Sequence, residues 1–208
     1  MKDRLLFFDT ETTTGWYDVM TITEVVEFGW VLTEGMTVIE QGQSFISSII
    51  PINSYTEKLI EISNDMIAGA PELHDYLGVL AKKTEATILI GHNTQFDLRV
   101  IEENLTRRGH TLTPWYEEFS QRAYLDTMHL FGKVMPNAPD RKLKTAMSYA
   151  GLDPEIKKHR ALPDSQFTKD VFFWLWPRLS DMYQATSVGD FVAAWKGKKR
   201  NREQLTLL

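Results

Sequence analysis

The sequence predicts one α/β domain, a mixed sheet with helices on its faces. Three observations carry this expectation. The chain opens with three strand-like runs joined by short loops, as in an antiparallel meander. Beyond them, strand and helix patterns alternate, as in parallel crossover units. At 208 residues the chain is long enough to bury a sizeable single core.

The first run, Leu5–Phe8, is continuously apolar and reads as a strand buried on both faces. A loop from Gly15 to Met20 carries Trp16 and Tyr17. Glu24–Leu32 reads as the second strand, Glu34-Gly35 as a turn, and a third strand runs near Thr37–Ile49, closed by Pro51. Tyr55–Ile60 suggests a short helix, followed by the connecting segment Ile62–Ile67. Pro71–Lys83 reads as an amphipathic helix started by Pro71, with Leu73, Leu77, Val79 and Leu80 apolar.

Thr87–Gly91 is a short apolar strand, and Asn93 or Thr94 is placed to cap a helix reaching Arg108. Tyr124-Leu125 reads as the last strand, with Asp126 capping a helix to Val134. Pro136–Asp140 is a loop, and Leu143–Ala150 a helix stopped by Gly151. Asp153–Arg160 is a basic loop. Pro163 and Asp164 open a large helix running through Phe172–Trp176, which packs on the sheet until Pro177 kinks or breaks it. Asp190–Trp195 adds a short helix, and 196–208 reads as a basic mobile tail.

The chemistry-bearing residues fall into three clusters. Asp9-Thr10-Glu11 ends the first strand; alternation points Asp9 and Glu11 one way and Thr10 the other. Paired carboxylates repel unless a cation or proton sits between them, although a polar strand end explains Asp-x-Glu alone. Gly91-His92-Asn93-Thr94-Gln95-Phe96-Asp97 follows mid-chain, with Asp97 in the first turn of its helix, where the macrodipole also favours an anion. His159-Arg160-Ala161-Leu162-Pro163-Asp164 comes third. With no cysteine in the chain, any metal is held by oxygen or imidazole.

These three motifs, in this order, resemble the DEDDh 3′→5′ exonuclease family over about residues 4 to 183. The resemblance implies an RNase H-like fold with five strands, in a domain spanning 1–195. It implies Asp9, Glu11, Asp97 and Asp164 as ligands of two divalent cations, Mg²⁺ or Mn²⁺. His159 is implied as the general base for the attacking water, with His92 as its rival; His74, His110 and His129 sit in no motif. Thr10, Thr12, Asn93 and Phe96 are expected at the substrate, although a threonine-rich strand end and a core phenylalanine explain those residues nearly as well.

One departure stands out: Ile60-Glu61 occupy the place of the family's His-Gly pair, so no binding role is carried to them.

The expected reaction releases nucleoside 5′-monophosphates from a 3′ end of DNA, as in proofreading or repair, with RNA trimming as the alternative and a non-catalytic end-binding module as the rival class. The net charge of −5 disfavours a protein that coats long nucleic acid more than one that grips a terminus. The N-terminus resembles neither a signal peptide nor a membrane span, so a cytoplasmic protein is expected. Gln204-Leu205-Thr206-Leu207-Leu208 resembles peptides that dock on the bacterial sliding clamp, with Gln204, Leu205, Leu207 and Leu208 as the contacting residues.

Overall fold

The computed structural model describes residues 3–14, 22–153 and 159–195. The expected loop 15–20, most of the basic loop before His159, and the tail with its clamp-like peptide lie outside them. The elements are β1 (Arg4–Thr12), β2 (Val25–Glu34), β3 (Thr37–Phe45), α1 (Ser54–Ile60), α2 (Asn64–Ile67), α3 (Leu73–Lys83), β4 (Ile88–Gly91), α4 (Thr94–Arg107), α5 (Pro114–Gln121), β5 (Tyr124–Asp126), α6 (Thr127–Val134), α7 (Leu143–Tyr149) and α8 (Ala161–Tyr183). Residues 188–195 form a further helical segment.

The five strands make one mixed sheet in the order β3-β2-β1-β4-β5. β1–β2–β3 is the expected antiparallel meander, while β4 and β5 run parallel to β1. The carboxyl ends of β1, β4 and β5 therefore share one edge.

Both faces of β1 are covered. Leu5 and Phe7 belong to a core with Phe172, Leu175 and Leu179 of α8, and Leu6 and Phe8 to a second core with Leu77, Leu80 and Ile101 of α3 and α4. Phe7 meets Phe172 and Phe173 with ring centroids 5.7 and 5.5 Å apart. Burying aromatic side chains on this scale stabilises by about 1.5–3 kcal/mol each, and it fixes α8 against the strand that carries Asp9. A smaller cluster of Val26, Ile52, Ile60, Ile62 and Ile67 roots α1 and α2 beside β2.

Several boundaries differ from expectation. β3 ends at Phe45, short of Ile49. α3 begins at Leu73 behind an extended Glu72, and Val79 is 71% exposed. An amphipathic pattern does not force each apolar residue inward. Neither Asn93 nor Thr94 caps α4 through its side chain: Asn93 is left-handed at φ 71°, and Thr94 Oγ1 donates to the Leu125 carbonyl at 2.9 Å. α8 continues through Pro177 to Tyr183, because Leu179 beyond the proline is buried in the core and holds the last turns in place. α5 fills a stretch to which the sequence reading assigns no element.

Candidate active site

β1 runs on to Thr12 and breaks register against β2 between Glu11 and Thr12. Such a bulge bends the strand and re-aims side chains. Asp9 and Glu11 continue the Leu5/Phe7 face of the strand, over which α8 lies. The first turn of α8 brings Asp164 there, and one carboxylate oxygen from each of Asp9, Glu11 and Asp164 lies within 4.8 Å of the others. Asp97 approaches from the α4 side. Its Oδ1 accepts the Thr10 hydroxyl at 2.6 Å and the Thr10 backbone N–H at 3.2 Å. Three of the four expected ligands thus converge, and the fourth is anchored next to them by the residue between Asp9 and Glu11.

The electrostatics agree. Burial pushes the Asp9 carboxyl well above the usual carboxylate range, and Asp97, Asp164, Glu11 and Glu27 push it further. Burial likewise raises Glu11, reinforced by Asp164 and Glu27, with Arg160 opposing. Asp97 is pushed up to about 7 by burial, against the lowering effect of the Thr10 hydrogen bonds. A site that holds protons this tightly is short of positive charge. Its donors are all hard carboxylate oxygens, the donor set of Mg²⁺ or Mn²⁺, so the residues present fit divalent cations.

His159 is exposed, with Nδ1 3.7 Å from Asp164 Oδ2. The Asp164 carboxylate raises its pKa and partial burial opposes that. His92, the rival base, is fully engaged. Its Nε2 donates to the Arg141 carbonyl at 2.8 Å, its Nδ1 lies 2.9 Å from Thr127 Oγ1, and burial lowers its pKa. It ties the end of β4 to the α6–α7 connection. Of the remaining histidines, His74 and His110 stack on each other at 4.1 Å, and His129 lies 3.1 Å from Asp126.

Of the expected substrate residues, Thr10 and Thr12 spend their hydroxyl protons on Asp97 and on the Thr14 carbonyl, and keep the capacity to accept a hydrogen bond. Asn93 donates its backbone N–H to Asp126 at 2.9 Å. Phe96 is half-buried against the second core, and Arg99 lies over its ring.

Two features escaped the sequence reading. Glu27 lies directly across from Glu11 in β2, and its side chain is 1% exposed. The Arg160 guanidinium grips it from Nε at 3.0 Å and Nη2 at 2.6 Å, and the Ala161 N–H donates to it at 3.0 Å. This carboxylate therefore holds the start of α8 between His159 and Asp164. Gly29, opposite Asp9, completes the docking: a Cβ there would run into the Ala161 backbone, and Ser165 Oγ donates to the Gly29 carbonyl at 2.9 Å. The missed signal was a lone acidic residue inside an otherwise apolar strand. Glu61, in the position of the family glycine, is left-handed at φ 54°, a conformation that glycine adopts without strain.

Residues 6–172 match the model of the RNase_T family, an exonuclease family. The PolC-type DNA polymerase III of Caldanaerobacter subterraneus subsp. tengcongensis is 25% identical over 185 residues, which cover 88% of this chain and 12% of that protein. The PolC-type polymerase of Oceanobacillus iheyensis is 28% identical over 181 residues, covering 86% and 12%. The chain thus spans about an eighth of the length of these curated relatives. Among solved structures, the nuclease domain of 3′hExo, a DEDDh family member bound to rAMP, superposes with a TM-score of 0.72 at 16% identity, covering 85% of this chain and 93% of that one. Exonuclease X in complex with 5′ overhanging duplex DNA gives 0.64 at 19% identity, covering 84% and 92%. These likenesses establish the RNase H-like fold. Together with the fold and its acidic cluster, the family match places the chain in the RNase_T exonuclease family.

Proposed function

We propose that this chain is a 3′→5′ exonuclease that uses two divalent cations, Mg²⁺ or Mn²⁺, and releases nucleoside 5′-monophosphates, with DNA as its substrate. The observation that carries the reading is the convergence of Asp9, Glu11 and Asp164 within 4.8 Å, with Asp97 anchored beside them. When bound, the cations supply neutralising charge and Lewis acidity toward a phosphodiester. The protein's own residues do the rest. His159 stands at the exposed lip of the cluster, able to take a proton from the attacking water once its ring is neutral. Thr10 and Thr12 offer acceptor oxygens to a terminal 3′-hydroxyl. Glu27, through Arg160 and the Ala161 N–H, holds His159 and Asp164 in one frame.

DNA is preferred because the relatives are named as DNA polymerases. RNA is the second reading, favoured by the similarity to 3′hExo bound to rAMP. A non-catalytic end-binding role fits poorly with five intact catalytic positions. Digestion of matched 5′-labelled DNA and RNA strands in Mg²⁺ separates the readings. Faster shortening of DNA supports the proposal, whereas RNA cleaved faster, with DNA nearly untouched, would reverse the assignment.

A further inference from the structure

Several described cations of this acidic chain already face carboxylates. Arg107 and Arg108 face Glu24, Arg122 faces Glu118, Arg160 faces Glu27, and Lys83 and Lys169 face Glu40 and Asp170. Lys133, Arg141, Lys142 and Lys144 are grouped on adjoining segments, whereas the other described cations without a carboxylate partner, Arg4, Lys58, Lys82 and Arg178, lie on four separate elements. All four of the grouped residues are exposed, and none has a carboxylate within ion-pair distance among the described residues. They sit on one lobe formed by α6, the connection 135–142 and the start of α7. The acidic residue within that stretch, Asp140, accepts the Lys142 N–H and the Thr145 hydroxyl through Oδ1 and offsets part of the Lys142 charge.

The lobe is tied to the active-site edge. α6 begins at the carboxyl end of β5, and the Arg141 carbonyl accepts from His92 at the end of β4, whose ring feels the charge of Asp164. Gly132 leaves room for the Arg141 guanidinium against α6, since a Cβ there would collide with Nε and Cζ. The opposite flank, beside β2, exposes Tyr55, Leu59 and Met66 and has a different character.

We propose that this lobe is the binding surface for the phosphodiester backbone of the substrate strand, a few nucleotides upstream of the 3′ end. The inference rests on the exonuclease reading above and adds the path of the strand. A terminus gripped by cations at the acidic cluster leaves the upstream phosphates unneutralised, and they would be repelled by most of a chain with net charge −5. Four clustered cations against the single Asp140 carboxylate leave the lobe positive and supply the missing attraction. Each phosphate neutralised on a single strand contributes about 0.7 to the slope of log affinity against log salt.

The test uses the full chain and a triple Arg141→Gln, Lys142→Gln, Lys144→Gln variant, with Lys58→Gln, Lys82→Gln as an exposed-lysine control. Binding of strands about a dozen nucleotides long, protected by a 3′-terminal phosphorothioate, is measured across salt for DNA and for RNA, alongside dinucleotide cleavage. The triple variant should lose about 2 from the salt slope and bind the long strand about tenfold more weakly. Its loss on the dinucleotide should be clearly smaller, and the control should keep the wild-type slope. Loss on DNA alone or on RNA alone supports the lobe for that strand. An unchanged slope on both, or equal losses on dinucleotide and long strand, would overturn it. No cleavage of any substrate by the wild type would instead strike the exonuclease reading.

Discussion

Asp9, Glu11, Asp97 and Asp164 are each ordinary residues whose meaning comes from proximity. Replacing Asp9 or Asp164 by Asn removes a ligand charge while keeping shape. Such a change should lower turnover by more than about 10³-fold, the loss of several kcal/mol of transition-state stabilisation, as measured by product release in Mg²⁺. His159→Ala should slow the chemical step by about 10²–10⁴-fold. It should also remove the acid limb of the pH–rate profile, set by an imidazole whose pKa the Asp164 carboxylate raises. A wild-type profile in that variant would return the base role to another group. The convergence of Asp9, Glu11 and Asp164 was legible because each lies in a motif of fixed residue types at short spacing. Glu27 was harder: an acidic residue within an apolar strand hints at a buried partner, but the arginine it grips lies 133 positions away.

At the level of elements, the sheet was readable because its strands are short apolar runs between turn residues, and Asp126 capped α6 as expected, accepting from Met128 N–H at 2.9 Å. α5 carried a start signal, Thr113-Pro114, that went unused amid a polar, aromatic stretch. Of the two outcomes expected at Pro177, the break does not occur, because long-range packing of α8 prevails over the local rule. The Glu27–Arg160 clamp gives a prediction at this scale. Glu27→Gln keeps an acceptor for Ala161 N–H but loses the charge that holds Arg160. It should cost about 1–3 kcal/mol of stability and about 10–100-fold in kcat, as loss of an outer partner of a ligand-bearing element does. Denaturant unfolding and steady-state kinetics check the two effects, and Glu27→Asp should recover part of each. Glu61→Gly, by relieving a left-handed residue, should stabilise by about 1 kcal/mol in the same unfolding assay.

For the whole molecule, the acidic edge makes stability depend on pH and cations. Asp9, Glu11 and Asp97 hold protons more tightly folded than unfolded. Their contribution is therefore fully present below the unfolded carboxylate range, about pH 4, and is lost as pH rises through the folded values, about 7 for Asp97. Metal-free protein should melt several degrees lower at pH 8 than at pH 5. Added Mg²⁺ should restore the difference at pH 8 and do little at pH 5, where protons compete for the same oxygens. No helix among the described residues is long and apolar enough to cross a membrane. The central claim is that carboxylates on β1, α4 and α8 form one hydrolytic centre acting at 3′ termini. The most direct measurement is a time course of a 5′-labelled strand with wild type and Asp9→Asn, in Mg²⁺ and in EDTA. The account predicts a ladder shortening from the 3′ end one nucleotide at a time, abolished by EDTA and by the substitution. Undiminished cleavage in EDTA, or label released first from the 5′ end, would contradict it.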